Sequence, residues 1–329
     1  MFILDANAPE KLAHYLKDNQ WLSNDDYILS LTKAGEGNMN YVLRVTTKLG
    51  TFIIKQSRGY VEKYPQIKAP EKRVLTEAEF YTKISSVNAL KQQMPKILGL
   101  DAFNNILLLE DLGKASDFNS MYTSGYILTK DETLVLVAYL NVLHTKSKKE
   151  VSDNELANLE MRKLNYEHIF HYPFLIDNGF DLDSIQDGLQ SLALNYKTDA
   201  LLKSKVQELG THYMAKGCYL LHGDYYPASW LSTSNGVKII DPEFCYYGSR
   251  EFDLGVFIAH LYISKQPESI IDLVQSTYSD YKSLNQSLLN GFIGIEIMRR
   301  LIGLAQLPLQ MNLKDKAKLL EFAYQSIIQ

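Results

Sequence analysis

The sequence predicts a two-lobed α+β architecture, with a small antiparallel β-rich N-terminal lobe and a larger, mainly helical C-terminal lobe. The first third of the chain contains short alternating segments separated by small-residue turns, which is typical of an antiparallel meander. The polar break Glu110–Gly113 follows, and beyond it apolar residues recur at the spacing that is typical of helices. We therefore expect one lobe over residues 1–112 and a second over residues 113–329.

The composition is that of an ordinary globular protein, since 46% of the 329 residues are hydrophobic and 22% are charged. A net charge of −4 argues against broad binding to nucleic acids or to anionic membranes. We expect no transmembrane helix and no signal peptide, because no long apolar run and no basic leader are present. Cys218 and Cys245 do not form a zinc pattern and do not imply secretion. A cytoplasmic location is the resulting expectation.

The N-terminal lobe is predicted to begin with a helix over Pro9–Gln20 and to continue as a run of strands. These strands are Tyr27–Thr32, Tyr41–Thr46, Thr51–Gln56, Pro95–Leu100 and Ile106–Leu109. A turn with two glycines, Gly35 and Gly37, separates the first two strands. The turn has two open interpretations: a plain hairpin turn, or a loop whose backbone N–H groups lie over phosphates.

Lys55 lies in the apolar run of the third strand. It is either a solvated charge at a strand edge or a lysine that contacts phosphates. The second interpretation requires a carboxylate that holds the lysine in place. The predicted helix Glu71–Val87 offers Glu77 and Glu79, and we favour Glu77, although the sequence leaves the choice open.

The C-terminal lobe is predicted to consist mainly of helical segments with apolar residues three and four positions apart. These segments are Asp131–Thr145, Asn154–Tyr166, Leu182–Leu194, Asp199–Met214, Phe252–Ser264, Glu268–Asn285, Ser287–Leu304 and Leu313–Ile328. The stretch 219–255 differs from the rest of this lobe, because it contains two short predicted strands and several carboxylates.

Three of these carboxylates follow the two strands. Tyr219–Leu221 is a short apolar strand that leads to Asp224, and Val237–Ile240 is a β-branched strand that leads to Asp241 and Glu243. The Asn-Gly pair before the second strand favours a hairpin turn. We expect the two strand ends to lie side by side, so that the carboxylates converge at one rim. Because like charges repel, a divalent cation is the simplest reason for such a cluster, and oxygen ligands suit Mg²⁺.

The order of these features along the chain suits phosphoryl transfer from ATP, in which catalysis consists mostly of positioning and charge neutralisation. In this interpretation Lys55 contacts the nucleotide phosphates, while Asp241 and Glu243 hold Mg²⁺. Asp224 accepts the proton of the attacking hydroxyl group. His222 is expected to brace the loop through hydrogen bonds.

The remaining polar residues of interest have less specific signals. The oxygen of Ser229 contacts either a second metal ion or the Asp224 loop, or else the residue is a plain turn serine. His144 and His260 are expected to be satisfied core or surface residues, because the sequence offers no paired histidine ligands for zinc. The chain also lacks the G-x-x-x-x-G-K-[ST] loop and the G-x-S-x-G elbow of other enzyme classes.

Three segments of the central stretch resemble the aminoglycoside phosphotransferase and choline kinase superfamily, which has a protein-kinase-like fold. They are His222–Asp224, Asp241–Phe244 and Phe252–Gly255. Other features look like those of the methylthioribose kinase group: the turn residues Gly35, Gly37, Asn38 and Asn40, the strand residues Ile54–Gln56, the hinge Glu110–Leu112 and the helical segment Glu296–Ala305. The resemblance therefore runs from Gly35 to Ala305.

The resemblance implies an ATP site and an acceptor site. At the ATP site, Glu110 to Leu112 would meet adenine through the backbone, and the glycine-rich turn and Lys55 would contact the phosphates. At the acceptor site, Arg299 and Arg300 would lie near the sugar and the transferred phosphate. From the residues alone this arginine pair is a helix-surface pair, although its apolar surroundings favour burial or use in a site.

Two segments depart from the pattern of these kinases, and both concern the acceptor. Tyr225 and Tyr226 follow the proposed base directly, so we expect bulky aromatic rings where the acceptor lies. Tyr64 and Pro65 occupy the place of a Trp-Pro loop that closes over the sugar. The residues expected to bind ATP match the pattern of these kinases. The departures therefore bear on the identity of the acceptor more than on the type of reaction.

We therefore expect an ATP- and Mg²⁺-dependent kinase that phosphorylates a hydroxyl group of a small molecule, with 5-methylthioribose as the first choice. Another small alcohol, such as an aminoglycoside, an amino alcohol or a different sugar, is the alternative acceptor. A catalytically silent nucleotide-binding protein is a third hypothesis, against which the intact set Lys55, Asp224, Asp241 and Glu243 argues. The resemblance also suggests a homodimer.

Overall fold

The computed structural model describes residues 1–35, 39–151 and 156–329. The chain divides into two compact units. The first comprises residues 1–116 together with 232–244, and the second comprises residues 117–231 together with 245–329. The segment 232–244 carries Asp241 and Glu243, so these two carboxylates belong to the first unit. Within the described ranges, none of the helices combines the length and apolar character that a membrane crossing requires.

The first unit is built on a five-stranded antiparallel sheet with the order β1-β2-β3-β7-β6. Its elements in chain order are α1 (Pro9–Asp18), β1 (Ile28–Lys33), β2 (Tyr41–Thr47), β3 (Thr51–Gln56), β4 (Tyr60–Val61), β5 (Tyr64–Lys68), α2 (Arg73–Ile84), α3 (Asn88–Lys91), β6 (Ile97–Asp101), β7 (Ile106–Glu110) and β8 (Ala115–Asp117). The strands and helices predicted for this region are present, with ends shifted by a few residues. The β4–β5 hairpin was not predicted, because strands this short give no alternating pattern.

The alternation of side chains along β3 separates its apolar residues from its lysine. Ile54 points into a core that also contains Leu43 and Leu108 from the two neighbouring strands. Lys55 is paired across the sheet with Val42 and Leu107, and its side chain is buried on the opposite face. The sheet therefore holds this lysine rigidly, away from the solvated edge.

The second unit is mainly helical, whereas the strand Gly236–Ile239, which falls among its elements in chain order, belongs to the first unit. The remaining elements in chain order are α4 (Ser120–Thr123), α5 (Lys130–Lys146), α6 (Leu159–Tyr166), α7 (Leu189–Lys197), α8 (Ala200–Met214), β9 (Tyr219–Leu221), β10 (Trp230–Thr233), β11 (Gly236–Ile239), β12 (Tyr246–Gly248), α9 (Glu251–Ile263), α10 (Glu268–Thr277), α11 (Gln286–Ile302) and α12 (Leu313–Ile328). Short π or 3₁₀ turns occur at 167–171, 172–174, 227–229, 242–244 and 281–283.

Two helix predictions need correction at their ends. The predicted helix Leu182–Leu194 begins only at Leu189, because Asp181 and Asp183 accept local backbone N–H bonds that compete with the helix. The helix predicted to extend to Asn285 ends at Thr277. The start predicted at Asn154 lies outside the described residues.

The two strands that precede the carboxylates each pair with another strand. β9 pairs antiparallel with β12, so that Leu221 lies opposite Tyr246. β11 is hydrogen-bonded to β10, the strand before it, through the predicted Asn-Gly turn. Strands of three and four residues carry too little pattern to select a partner, which is why the sequence suggested the simpler arrangement.

Helix α11 runs through the core of the second unit between α9 and α12. Glycines permit the close approach on both sides: a Cβ on Gly255 would lie 2.8 Å from Phe292, and one on Gly294 would lie 2.5 Å from the carbonyl oxygen of Ala323. Every residue of α11 from Gly291 to Ile302 is buried. The charged residues of this segment, Glu296, Arg299 and Arg300, are therefore buried with it.

Candidate functional site

Lys55 is the centre of a buried charge cluster in the first unit. Its Nζ donates to Oε2 of Glu77 at 2.6 Å and also to Oδ1 of Asp241. Burial alone would lower the pKa of Lys55, but Asp241, Glu77 and Glu243 outweigh burial and raise the pKa above its ordinary value. The lysine is therefore a fixed positive charge at neutral pH.

Glu77, and not Glu79, is the partner of Lys55. Glu77 lies on the buried face of α2 beside Val74 and Ala78, and its side chain is 0% exposed. Glu79 lies on the opposite face, is 48% exposed and pairs with Lys83 at 3.3 Å. Burial raises the pKa of Glu77 to about 7; Lys55 opposes this shift, and the neighbouring carboxylates reinforce it.

Asp241 and Glu243 follow β11 in the same unit but differ in their surroundings. Asp241 has a left-handed backbone (φ 61°), and its side chain is 45% exposed. Glu243 is buried; Nδ2 of Asn40 donates to its Oε2 at 2.8 Å, and Nε of Arg73 lies 3.4 Å from the same oxygen. Burial raises the pKa of Glu243, against the opposing charges of Lys55 and Arg73.

Arg73 is a residue of this cluster that sequence reasoning missed. Its guanidinium is buried and donates to Oδ1 of Asn40 at 2.7 Å. It also donates to the backbone carbonyls of Met39, Arg58, Tyr60 and Pro70. One side chain therefore ties the end of the glycine-rich turn to the start of α2 and to Glu243. No spacing in the sequence distinguishes Arg73 from the adjacent Lys72.

The glycine-rich turn is described only at its two ends. Gly35 has a positive φ of 75° and is exposed. Asn40 is buried, and its side-chain amide is engaged by Arg73 and Glu243. A cavity of about 40 Å³ lies between these two residues, with Tyr41 and Glu62 in its wall. The predicted phosphate contacts of Gly37 and Asn38 lie outside the described residues.

The hinge segment is held by an arginine on β2. Arg44 Nη2 donates to Oδ1 of Asp111 at 2.9 Å and to the carbonyl oxygen of Gly113 at 2.8 Å. The backbone N–H of Lys96 donates to the Glu110 side chain at 3.1 Å. Leu112 is half-buried between these contacts. The segment predicted to meet adenine is therefore braced from both ends, while that contact stays a prediction.

The donor set at Asp241 and Glu243 fits Mg²⁺. This ion prefers hard oxygen ligands and usually binds through one or two carboxylates, completed by water and substrate phosphates. No group of three or more His, Cys, Asp or Glu side chains arranged for a metal occurs among the described residues. A two-carboxylate site that relies on phosphate oxygens agrees with that finding. The exposed Asp241 and the anchored Glu243 are the residues that would hold the ion.

In the second unit, the loop with Asp224 is fixed by an aspartate on α9. Asp253 accepts hydrogen bonds from the backbone N–H groups of His222 at 2.7 Å and Gly223 at 2.9 Å. Ser229 Oγ donates to the carbonyl oxygen of Asp224 at 2.9 Å, so Ser229 braces this loop. The Asp224 side chain remains 21% exposed. The loop therefore presents this carboxylate from a rigid support.

The buried arginine pair shares one carboxylate on α11. Arg300 Nε donates to Oε1 of Glu296 at 2.7 Å, and Arg299 Nη1 lies 3.4 Å from Oε2. Arg300 Nη2 also lies 3.9 Å from Oδ1 of Asp224. Burial raises the pKa of Glu296, but the two arginines and His260 outweigh it and hold the pKa well below its usual range. Both arginines are buried rather than on a helix surface.

His260 supports the same carboxylate from α9. Its Nε2 lies 3.0 Å from Oε1 of Glu296, and its Nδ1 lies 2.6 Å from the hydroxyl oxygen of Tyr122. Burial and the two arginines lower the pKa of His260 to about 4, against the influence of Glu296. The neutral ring therefore donates from Nε2 to the carboxylate and accepts at Nδ1 from Tyr122. Of the two expected settings for His260 and His144, core or surface, both residues are in the core, and His144 contacts Tyr278 and Asp253.

The expectation that Tyr225 lies in the acceptor pocket is wrong. Its ring is fully buried against Tyr139 and Trp230, and its hydroxyl donates to the carbonyl oxygen of Leu136 at 2.9 Å. Tyr226 points the other way, and its ring lies 4.6 Å from the guanidinium of Arg300. Only one of the two aromatic rings is therefore near the Asp224 carboxylate. Tyr64 and Pro65, the other departure, form part of β5.

Comparison with known proteins supports the resemblance found in the sequence. Residues 185–285 match a family model described as fructosamine kinase. The chain is 28% identical to the methylthioribose kinase of Geobacillus thermodenitrificans (strain NG80-2), over 93% of this chain and 87% of that protein. It is 26% identical to the methylthioribose kinase of Geobacillus sp. (strain WCH70), over 89% and 82% of the two chains. The predicted resemblance to this group of kinases is confirmed.

Solved structures establish the fold. The choline kinase LicA from Streptococcus pneumoniae has a TM-score of 0.53 at 16% identity, over 97% of this chain and 98% of that chain. A spectinomycin phosphotransferase, solved with ADP and spectinomycin, has a TM-score of 0.52 at 16% identity, over 96% and 92%. The predicted fold class, a protein-kinase-like α+β fold with an antiparallel β-rich N-terminal part and a helical C-terminal part, is confirmed.

Proposed function

Because the chain resembles methylthioribose kinases over most of its length, we propose that this protein transfers the γ-phosphate of ATP to a hydroxyl group of 5-methylthioribose. Its relatives identify the general class, which is a phosphotransferase of the kinase type acting on a hydroxyl group. The acceptor and the roles of individual residues belong to the proposal. They rest on the charges and contacts in each of the two units.

The first unit supports the nucleotide part of the proposal. Lys55 is a buried cation whose position is fixed by Glu77 and Asp241, as a lysine that contacts phosphates requires. Mg²⁺ bound at Asp241 and Glu243 would neutralise negative charge on the phosphate oxygens. Glu110 to Leu112 would meet the adenine, and the glycine-rich turn with Gly35 and Asn40 would lie over the phosphates.

The second unit supports the acceptor part of the proposal, and one observation carries it. Arg300 Nη2 and Arg299 Nε are buried and have no hydrogen-bond acceptor among the described residues. Arg300 Nη2 lies 3.9 Å from Oδ1 of Asp224, whose side chain is partly exposed. Since an unsatisfied buried donor is costly, hydroxyl or phosphate oxygens of a ligand would stabilise the arginines. Asp224 would accept the proton of the attacking hydroxyl group as its oxygen bonds to the γ-phosphorus and the bond from that phosphorus to the departing ADP breaks.

The charge of this site favours a neutral acceptor over a cationic one. Two buried guanidinium groups lie beside the carboxylates of Glu296 and Asp224, and Oε1 of Glu296 already contacts Arg300 and His260. An amino alcohol or an aminoglycoside would bring a further positive charge next to these arginines, which costs free energy because like charges repel. A neutral sugar such as 5-methylthioribose brings oxygens without that charge.

The proposal is tested by measuring ATP consumption by the purified protein with a panel of acceptors. The panel contains 5-methylthioribose, ribose, an aminoglycoside and an amino alcohol. We expect turnover with methylthioribose far above turnover with either cationic compound. Clear turnover of a cationic acceptor and none with methylthioribose would refute the assignment. Binding of ADP without turnover of any acceptor would support the non-catalytic alternative.

A further inference from the structure

Arg300 lies between two carboxylates that it contacts unequally. Its Nε is 2.7 Å from Oε1 of Glu296, whereas its Nη2 is 3.9 Å from Oδ1 of Asp224. The first distance is that of a charge-assisted hydrogen bond, and the second exceeds any hydrogen bond. The planar fork of a guanidinium is well suited to a bidentate pair with a carboxylate. The structure therefore raises the question of what keeps Arg300 from closing on Asp224.

Several contacts hold the guanidinium in its observed position. The ring of Tyr226 lies 4.6 Å from the central carbon of the guanidinium, and Nε of Arg300 donates a hydrogen bond to the Glu296 carboxylate. Glu296 is itself restrained, since Nε2 of His260 lies 3.0 Å from the same Oε1 atom. Tyr122 then fixes the imidazole through its hydroxyl group, 2.6 Å from Nδ1.

We propose that Glu296, oriented by His260 and Tyr122, is a positioning residue that holds Arg300 out of a close ion pair with Asp224 and so preserves the basicity of that carboxylate. This inference rests on the proposed function. It assigns no contact with substrate to Glu296, His260 or Tyr122. The three residues act through the arginine, whose unsatisfied Nη2 then faces the acceptor oxygens.

The physical argument is a competition between two anions for one cation. A carboxylate in a tight bidentate pair with an arginine is strongly stabilised as the anion and is a poor proton acceptor. Arg300 pairs with Glu296 in preference to Asp224 for two reasons. Glu296 is fully buried, where charge pairing is strong, and its partners on α9 and α11 are fixed. Burial lowers the pKa of His260, so the ring is neutral. The negative charge of Glu296 is then balanced by the two arginines and not by the histidine.

The central test is the Glu296→Gln variant, which keeps the shape of the side chain and removes its charge. Arg300 is expected to turn to Asp224, so that kcat falls about tenfold or more while KM for ATP stays within about twofold. Glu208→Gln, the same change at an exposed position of α8, is the control and is expected to leave kcat unchanged. An unchanged kcat in Glu296→Gln would overturn the inference.

A double-mutant cycle separates positioning from a general structural role. In an Arg300→Ala background, Glu296→Gln is expected to cost less than about twofold in kcat, because the arginine that it would release is absent. A cost equal to that in the wild-type background would overturn the inference. His260→Phe, which removes the Nε2 donor, is expected to resemble Glu296→Gln, and His260→Gln, which restores a donor, is expected to recover most of the loss. Should Glu296→Gln fail to fold, these two histidine variants decide the matter in the same way.

A crystal structure of Glu296→Gln gives a readout that does not depend on turnover. The inference predicts that a guanidinium nitrogen of Arg300 moves within hydrogen-bond distance of Asp224. An Arg300 that stays on the Tyr226 ring would overturn it. Absence of turnover in the wild-type protein with every acceptor would instead contradict the proposed function, so the two failures are distinguishable.

Discussion

Lys55 and Glu77 form a buried ion pair, with 2.6 Å between Nζ and Oε2, that joins strand β3 to helix α2. Neither side chain is accessible to water beyond a few per cent. Loss of one partner from such a pair leaves an uncompensated charge in the interior, which costs far more than the pair itself contributes to stability. Asp241 limits that cost for Lys55, because it pairs with the same Nζ atom.

Glu77→Gln is expected to weaken ATP use and to destabilise the protein, whereas Glu79→Gln is expected to do neither. Since Asp241 remains, we expect a loss of about 3 kcal/mol in the free energy of unfolding for Glu77→Gln. The exposed Glu79 pair is expected to contribute less than about 1 kcal/mol. Urea unfolding and the KM for ATP check both variants. Equal effects at the two positions would contradict the assignment of Glu77.

Arg73→Lys tests whether the shape of the guanidinium, and not its charge alone, holds Glu243. A lysine keeps the charge but cannot serve four backbone carbonyls and Asn40 together. We expect a loss of about 2 kcal/mol in stability and about tenfold weaker metal binding, measured directly with Mn²⁺ by electron paramagnetic resonance. Lys72→Ala, at the exposed neighbouring position, is the control. Metal binding unchanged by Arg73→Lys would contradict the role assigned to Arg73.

Arg299→Ala and Arg300→Ala are expected to impair the acceptor more than ATP. Each removes a buried guanidinium with an unsatisfied N–H group, so we expect KM for the acceptor to rise or kcat to fall about tenfold or more. KM for ATP is expected to stay within about threefold. Steady-state kinetics with each substrate varied in turn provides the comparison. Equal losses for both substrates would contradict the placement of these arginines at the acceptor.

His260 is expected to make folding stability depend on pH. Its pKa is lowered from 6.5 to about 4 by burial and by the two arginines, in spite of Glu296, while Tyr122 and Tyr226 are its neutral neighbours. The unfolded chain therefore binds more protons between these pH values, and stability falls as pH drops from 6.5 to 4. The contribution is up to about 3 kcal/mol.

Unfolding experiments over that pH range check this prediction. Carboxylates titrate in the same window, so the comparison is between the wild-type protein and His260→Gln, whose stability is expected to fall less. His212→Gln, at an exposed position of α8, is the matched control and is expected to behave as the wild type. Parallel curves for wild type and His260→Gln would contradict the buried neutral state of His260.

The sequence predicted the sheet and helices well because their hydrophobic patterns are long. Strand β3 was predicted with its observed ends, and so was α12. The choice between Glu77 and Glu79 was left open, although α2 contains a usable signal: Glu77 shares a helical face with Val74, Ala78 and Tyr81. Helical spacing therefore distinguishes the two residues, because Glu77 lies on the apolar face of α2 and Glu79 does not.

Other features of the site depend on tertiary contacts that no local pattern contains. The pairing of β9 with β12 joins two three-residue strands that are far apart in the sequence. Among the described residues, Arg73 donates to four backbone carbonyls and one side chain that are spread over residues 39–70. Tyr225 and Tyr226 are adjacent and chemically alike, and only the packing of Tyr225 against Trp230 separates a core residue from one at the site.

The central claim, that Asp224 serves as the base in phosphoryl transfer to 5-methylthioribose, is tested most directly by kinetics of the Asp224→Asn variant. Turnover of ATP with methylthioribose and binding of ADP are measured for the wild type and the variant side by side. We expect a loss of about 10²–10⁴ in kcat, with ADP affinity unchanged within about twofold. A variant that keeps near-normal turnover with methylthioribose would contradict it.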